Sequence, residues 1–447
     1  MNDLEVNKTV LYRQVIESNE MPTIVLDDIE HNRRFIWWAL LFLNGSCLWA
    51  YYSCLSAQTY YAARFSNTTL RFEYLTTPIS TWPMFFGHFI QVLFGLDKKL
   101  GLLYRVRIGY LLYILSAIAI LLQDICDFTP FTGAIIVLVS FGVIGFTNSL
   151  TEATFYALSA LFPEAQFSDA IQLGNGTSGI LNITLNTLTQ LIVGGHDPQF
   201  HAFERIQKLS FYIFFGIFIA FCLVAIFVYQ YLIQTPSIRY LIECNEAETT
   251  RRNHESFCQK LKKLASITWT MRLPLISQCL IFVCSLTSFP GIGISSGYQL
   301  AAKQNATWGN WYVNGVLLSY NYGDFAGRYL APNLYPWFTL TSCFLWSILR
   351  WGLLVLLLLG LPGNDANPLF CMENAYTFNL VWQLIVNALL GLTTGILSTI
   401  TIGLGPRLLP QEDRESASAI MCLGLFLGIC VGATIGLEIG QNHWFGA

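Results

Sequence analysis

Apolar and polar positions alternate along this chain in long blocks. Eleven predominantly apolar stretches follow one another, approximately at 35–57, 77–96, 104–123, 133–161, 168–193, 209–233, 271–296, 311–331, 337–360, 377–404 and 415–438. Each is near or above the roughly 20 residues that carry a helix across a bilayer. The pattern predicts an all-α polytopic membrane protein with eleven transmembrane helices. Stretches longer than the minimum imply tilt or kinks. The stretch 77–96 is the weakest of the set, interrupted by Pro83, Gly87, His88 and Gln91. The longest polar interruption, 234–270, separates six stretches from five; it is rich in charge, lacks apolar periodicity and holds one short amphipathic stretch. The expected organisation is a cytosolic segment 1–34, a helical bundle 35–233, a cytosolic linker 234–270, a second bundle 271–438 and a short extracellular tail 439–447. Two bundles joined by such a linker suit a carrier that alternates access between the two sides of a membrane; the plainer alternative is a long loop.

Composition agrees with the blocks. The 447 residues are 54% hydrophobic and 11% charged, where an ordinary soluble domain carries about 25% charged residues. The net charge of −3 identifies no partner; the expected surroundings are lipid, with neither nucleic acid nor an obligate protein partner. Basic residues are sorted. Arg33, Arg34, Lys98, Lys99, Arg105, Arg107 and a cluster from Arg239 to Arg272 fall on one side, whereas Arg64, Arg71, Arg205, Lys208 and Lys303 fall on the other. By the positive-inside rule the amino terminus is cytosolic and the carboxyl terminus outside. Two sequons, at Asn67 and Asn305, then lie on outer loops. The polar, acid-rich first 34 residues lack an early apolar core, so the first span reads as an uncleaved anchor. Twelve cysteines are scattered without a CxxC pair, which argues against zinc or a disulfide framework. Cys126 and Cys371 fall on outer loops, where a bridge and two unrelated thiols are both open. Six histidines are dispersed and only His88 lies in a span. No metal, cofactor or catalytic set is expected; a polytopic enzyme or sensor, the remote alternative, needs clustered nucleophile and acid–base groups.

Four ionisable residues stand well inside predicted spans: Glu152, Asp324, Arg328 and Arg350. A charge at the centre of a spanning helix costs about 2.5–3.5 kcal/mol, so such residues face a partner or a wet cavity. Asp324 and Arg328 are four apart, which puts them one turn apart on one helix face. Each partly neutralises the other, and the guanidinium keeps donors free for a ligand oxygen. The alternative is a self-contained ion pair that fixes packing. Counted back from Pro163 and Pro332, Glu152 and Asp324 sit roughly 16 and 12 Å from the cytosolic helix ends at about 1.5 Å per residue, so both can share one chamber. Arg350 reads as a residue that satisfies a carbonyl or a neighbouring acid. Trp49, Tyr52 and Ser53 share a face of the first helix and can stack a planar solute, or simply pack. The run GNGTSG at 174–179 matches GxGxxG, but it lies inside an apolar helix without the strand context a dinucleotide site requires. Gly174, Gly176 and Gly179 read instead as a helix-packing face.

These segments together resemble the equilibrative nucleoside transporter family, along nearly the whole hydrophobic chain. YNYGDFAGR at 320–328 is similar to that family's FNxxDxxGR signature through Asn321, Asp324, Gly327 and Arg328. ESASAIMCLGLFLGICVGA resembles its final helix, with an acidic start and small residues. TTGILSTITIGLGP matches another of its runs in part, with Thr393 and Thr394 in place of Ser-Asn, and Ser-Phe-Pro at 288–290 resembles its Phe-Pro kink. The resemblance implies a major-facilitator-like fold in six-plus-five arrangement and a plasma-membrane carrier of nucleosides or nucleobases, purines foremost, moved down their gradient. It implies substrate-binding roles for Trp49, Tyr52, Glu152, Asn321, Asp324 and Arg328, and a gating kink at Phe289 and Pro290. Two departures mark a divergent member of the kind found in protozoa. Glu152 stands where the family has a base-binding glutamine, which raises proton-coupled symport as the alternative mechanism. The first helix reads NGSCLWAYYSC in place of a LLPWN-like run, so the stacking aromatic is Trp49 or Tyr51.

Overall fold

A computed structural model describes residues 21–56, 60–61, 64–65, 68, 72–95, 101–126, 128–193, 200–252, 257–292, 306–359 and 376–441. Among the described residues the elements are helical throughout. In chain order the α-helices are α1 (Thr23–Ser56), α2 (Phe72–Phe94), α3 (Leu102–Ile125), α4 (Pro130–Leu161), α5 (Gln166–Val193), α6 (Phe200–Leu232), α7 (Pro236–Arg252), α8 (Phe257–Thr270), α9 (Arg272–Thr287), α10 (Ala306–Leu334), α11 (Leu340–Leu349), α12 (Trp351–Leu359), α13 (Tyr376–Leu404) and α14 (Arg414–Gln441). Each of the eleven apolar stretches falls on one of these helices, or on the broken pair α11–α12. Among the described residues six segments are long and apolar enough to cross a membrane by length and composition, or seven if α8 and α9 count as one bent span. The long helices α1, α2, α5 and α10 fall outside that set because polar side chains such as Gln172, Asn175, Asn321, Asp324 and Arg328 dilute their hydropathy. Asn67, Asn305 and Cys371 lie outside the described residues, and with them both sequons and the Cys126–Cys371 pairing; Cys126 itself is exposed.

Three boundaries differ from the apolar pattern, each for a local reason. Helix α1 begins about three turns before its apolar stretch, because the charged segment 27–34 is held by its own side-chain contacts. Its side chains pair at helical spacing, with Asn32 Nδ2 donating to Asp28 Oδ1 at 3.0 Å and Arg33 bonded to Glu30 at 3.2 Å. Asp28 Oδ2 also accepts the backbone N–H of Ser237 at 2.9 Å, which satisfies a free donor in the first turn of α7. The interruption 234–270 is mostly helical. Pro236 sits at the helix start, where its missing N–H costs nothing, and no further proline or glycine breaks the run to 270. The stretch 271–296 ends its regular helix at Thr287. Wider turns follow over 288–292, and Phe289 is extended there (φ −129°, ψ 137°), as expected for the residue preceding Pro290.

Helices α1–α6 pack on one another around a core rich in Phe and Tyr, and α9–α14 pack around a second set. The two sets meet along two lines, α5 against α10 and α13, and α2 and α4 against α14. Within the second set α10 and α13 cross backbone to backbone. A Cβ on Gly323 or Gly327 would overlap the main chain of α13, and one on Gly391 or Gly395 would overlap that of α10. Both helices therefore carry a GxxxG face toward the other. Between the sets, the buried side chains of Arg105 and Glu415 approach to 3.7 Å. His88 Nε2 lies 2.8 Å from the Ala419 carbonyl, and Tyr335 donates to Asp169 at 2.6 Å.

Candidate functional site

The α5–α10 line is where buried charge gathers. Asp324 and Arg328, one turn apart on α10, are each 5% exposed and form an ion pair with Arg328 Nε 2.8 Å from Asp324 Oδ2. Arg328 also reaches across to α5, where Nη1 donates to the Gln172 backbone carbonyl at 3.2 Å and to Gln172 Oε1. The chain of contacts continues. Gln172 Nε2 donates to the Tyr156 hydroxyl at 2.8 Å, Asn175 Nδ2 donates to the same oxygen at 3.0 Å, and it also donates to Glu152 Oε1 at 3.2 Å. Asn44 on α1 closes the cluster by donating to Asn175 Oδ1 and to the Ile171 carbonyl. One polar chain thus runs Asp324–Arg328–Gln172–Tyr156–Asn175–Glu152, from the second helical set into the first.

Two features of the chain bear on chemistry. Asp324 Oδ1 is buried and has no hydrogen-bond partner among the described residues; a buried acceptor left open costs about 1–3 kcal/mol, which an arriving donor recovers. Glu152 makes no ion pair among the described residues, its bonded partner being the Asn175 amide. Arg350 lies elsewhere, at the break between α11 and α12, where its guanidinium donates to the Ile281 and Leu390 carbonyls and to the hydroxyls of Ser285 and Thr394 at 2.7–3.1 Å. It stitches α9 to α13 through carbonyls and hydroxyls.

The other residues expected at the site divide. Tyr52 and Asn321 converge on Gly179, where a Cβ would strike both side chains. Gly176 is seated against Phe325 and Arg328 of α10, and Gly174 against the backbone of α1, so the three glycines serve two neighbouring helices. Phe289 stacks flat on Tyr320 with ring centroids 3.9 Å apart, one turn before Asp324. Trp49 faces the other way: its ring packs edge-on against Phe221 of α6, and its Nε1 lies 3.4 Å from the Phe214 carbonyl. A spacing of three leaves about 60° between Trp49 and Tyr52 on the helix, enough to give them different neighbours.

The profile describing nucleoside transporters matches residues 138–439, about two thirds of the chain. The chain belongs to the nucleoside transporter family. Among curated relatives of this family member, equilibrative nucleotide transporter 1 of Arabidopsis thaliana is 23% identical, over 78% of this chain and 73% of the relative. Equilibrative nucleoside transporter 4 of Danio rerio is 20% identical over 92% of this chain and 84% of its own length. Equilibrative nucleoside transporter 1 of Mus musculus is 23% identical over 67% and 68%. Of solved structures, a proton:xylose symporter of the major facilitator superfamily superposes with a TM-score of 0.56 at 12% identity, covering 92% of this chain and 90% of that one. The Escherichia coli fucose:proton symporter does so with a TM-score of 0.53 at 17% identity, covering 91% of each. The nucleoside transporter therefore has a major-facilitator fold.

Within this nucleoside transporter, Gln172, Asn175, Tyr156 and Asn44 are uncharged polar residues that the charged positions alone do not point to. The signal was present: Asn175 sits between Gly174 and Gly176 in the small-residue run, with Gln172 three residues before it. Amides at that spacing share a helix face.

Proposed function

We propose that this chain is a facilitative carrier of nucleosides or nucleobases, with purines as the main class, working by alternating access between its two helical sets. The observation that carries the reading is the Gln172–Arg328 contact, which ties the two sets together at the buried ion pair. A nucleoside offers ring N–H and ribose hydroxyl donors for Asp324 Oδ1. Its ring nitrogens and oxygens can accept from Arg328 in place of Gln172. Binding thereby removes a tie between the halves, and one half can then rock against the other. The Tyr52 ring and the Phe289–Tyr320 stack are candidate walls for a planar base. Eleven crossings with a cytosolic amino terminus belong to this proposal, supported by the helix register and the sorted basic residues; residence in the plasma membrane belongs to it as what the family resemblance implies.

Uptake of radiolabelled adenosine, inosine and hypoxanthine into proteoliposomes tests it. Saturable uptake is expected, inhibited most by purines in competition, and reduced at least about tenfold in Asp324→Asn or Arg328→Gln, since a charge-assisted hydrogen bond contributes about 1.5–3 kcal/mol. Absence of saturable uptake of any purine or pyrimidine overturns it.

A second reading, proton-coupled symport, is favoured by Glu152, a buried carboxyl without a cationic partner in contact. Intramembrane acids of this kind serve as relays. It predicts uptake that rises with outside acidity and loses that dependence in Glu152→Gln, whose amide keeps an acceptor for Asn175. Uptake indifferent to ionophore and to pH leaves the facilitative reading alone.

A further inference from the structure

Helix α8 is bent by 74° from α9 at Met271. In the crossing proposed above, α9 carries the apolar stretch that begins at residue 271, and the 74° bend turns α8 toward the plane of the membrane surface. Its residues are arranged for that position. Phe257, Leu261, Ala265 and Trp269 recur every fourth residue and form one exposed stripe, Phe257 being 51% and Trp269 70% exposed. On the protein side Ile267 is buried, and Lys263 pairs with Asp413 at 2.6 Å. Residues 257–272 hold three lysines and one arginine and no acid. Lys262 is exposed at the edge of the apolar stripe. Arg272 is exposed at the bend, its guanidinium 4.8 Å over the Trp269 ring and its Nη1 3.0 Å from the Trp269 carbonyl.

We propose that α8 is an interfacial helix that binds the anionic phospholipid headgroups of the inner leaflet. The apolar stripe enters the boundary between headgroups and acyl chains, with Trp269 as the anchor. Lys260, Lys262 and Arg272 engage the headgroup phosphates and carboxylates. An exposed apolar stripe edged by lysines is the pattern of helices that lie in that boundary. An acid-free cationic segment beside a spanning helix complements the negative inner leaflet, where each Lys or Arg is worth about fivefold in binding. The site also touches both halves of the carrier. Phe257 stacks on Phe94 at the end of α2, at 6.4 Å between ring centroids, while Lys263 holds Asp413 at the foot of α14. Lipid charge therefore acts on a segment in contact with both moving parts.

The test is amide hydrogen exchange across 257–270, with the full chain in nanodiscs of phosphatidylcholine alone and of phosphatidylcholine with phosphatidylserine. Exchange at least about tenfold slower is expected with phosphatidylserine present, given the contribution per basic side chain. The Lys260→Gln/Lys262→Gln/Arg272→Gln variant is expected to lose that difference, and Leu261→Glu to lose protection in both lipids. Equal exchange in the two lipids for the unaltered chain overturns the proposal and points to an acidic protein partner for the same face. These outcomes are independent of transport: a chain that moves no nucleoside still reports its lipid contacts.

Discussion

Gln172 is the residue on which the transport reading turns. It is fully buried, it accepts from Arg328 through both backbone and side-chain oxygens, and it passes a donor on to Tyr156. If the solute must take its place on Arg328, Gln172→Leu removes a competitor. The expected outcome is a KM for nucleoside lowered by about tenfold or more, the worth of one hydrogen bond to a charged group; a raised KM in the uptake assay says instead that Gln172 is itself a ligand. Asn175→Ala leaves the Glu152 carboxyl without its donor and is expected to cost about 1–3 kcal/mol of stability, read as a lowered melting temperature in detergent. Charges were legible in the sequence because each stands out against an apolar span. Asp324 and Arg328, paired by their spacing of four, and Glu152, set beside them by depth, lie along one hydrogen-bonded chain. The amides between them were not legible, since an uncharged polar residue is common in a helix core and gives no partner away. Trp49 marks another limit, for helical spacing fixes a face within about 60° but not which neighbour covers it.

At the scale of elements, the decisive contact is the crossing of α10 and α13. Gly395→Val forces its side chain into the main chain at Asp324 and Arg328, and overpacking of this kind costs about 1–3 kcal/mol or more. A clear drop in melting temperature and in folded yield is expected. Gly216→Ala and Gly352→Ala, where an added Cβ meets open space, are the matched controls and should leave both unchanged. Helix positions were readable from apolar length, because lipid admits little else. Helix ends were not: α1 gained its first turns from charged residues that pair along the helix, and most of 234–270, expected as a linker with one short amphipathic stretch, is helical in α7 and α8. In α1 and α7 side-chain pairing and a favourable proline start act where no long apolar run announces a helix.

Across the whole molecule, the two halves are held at the end expected to face the cytosol by Arg105–Glu415, His88–Ala419 and Asp169–Tyr335. Opening that end requires these contacts to part. Glu415→Gln weakens the buried ion pair and is expected to raise the alkylation rate of Cys422, buried in the same helix, several-fold as measured site by site in mass spectrometry; an unchanged rate denies the pair a role in closure. None of these partners is near another in sequence, which is why the seam was invisible to any reading of spans alone. The glycine crossing and the Arg350 stitches make the half that carries Asp324 and Arg328 a stiff wall, so movement falls on the seam between the halves, where Arg328 meets Gln172. A flat molecule that gripped both residues at once would act as a wedge there, and it would arrest the cycle even where it resembled no nucleoside.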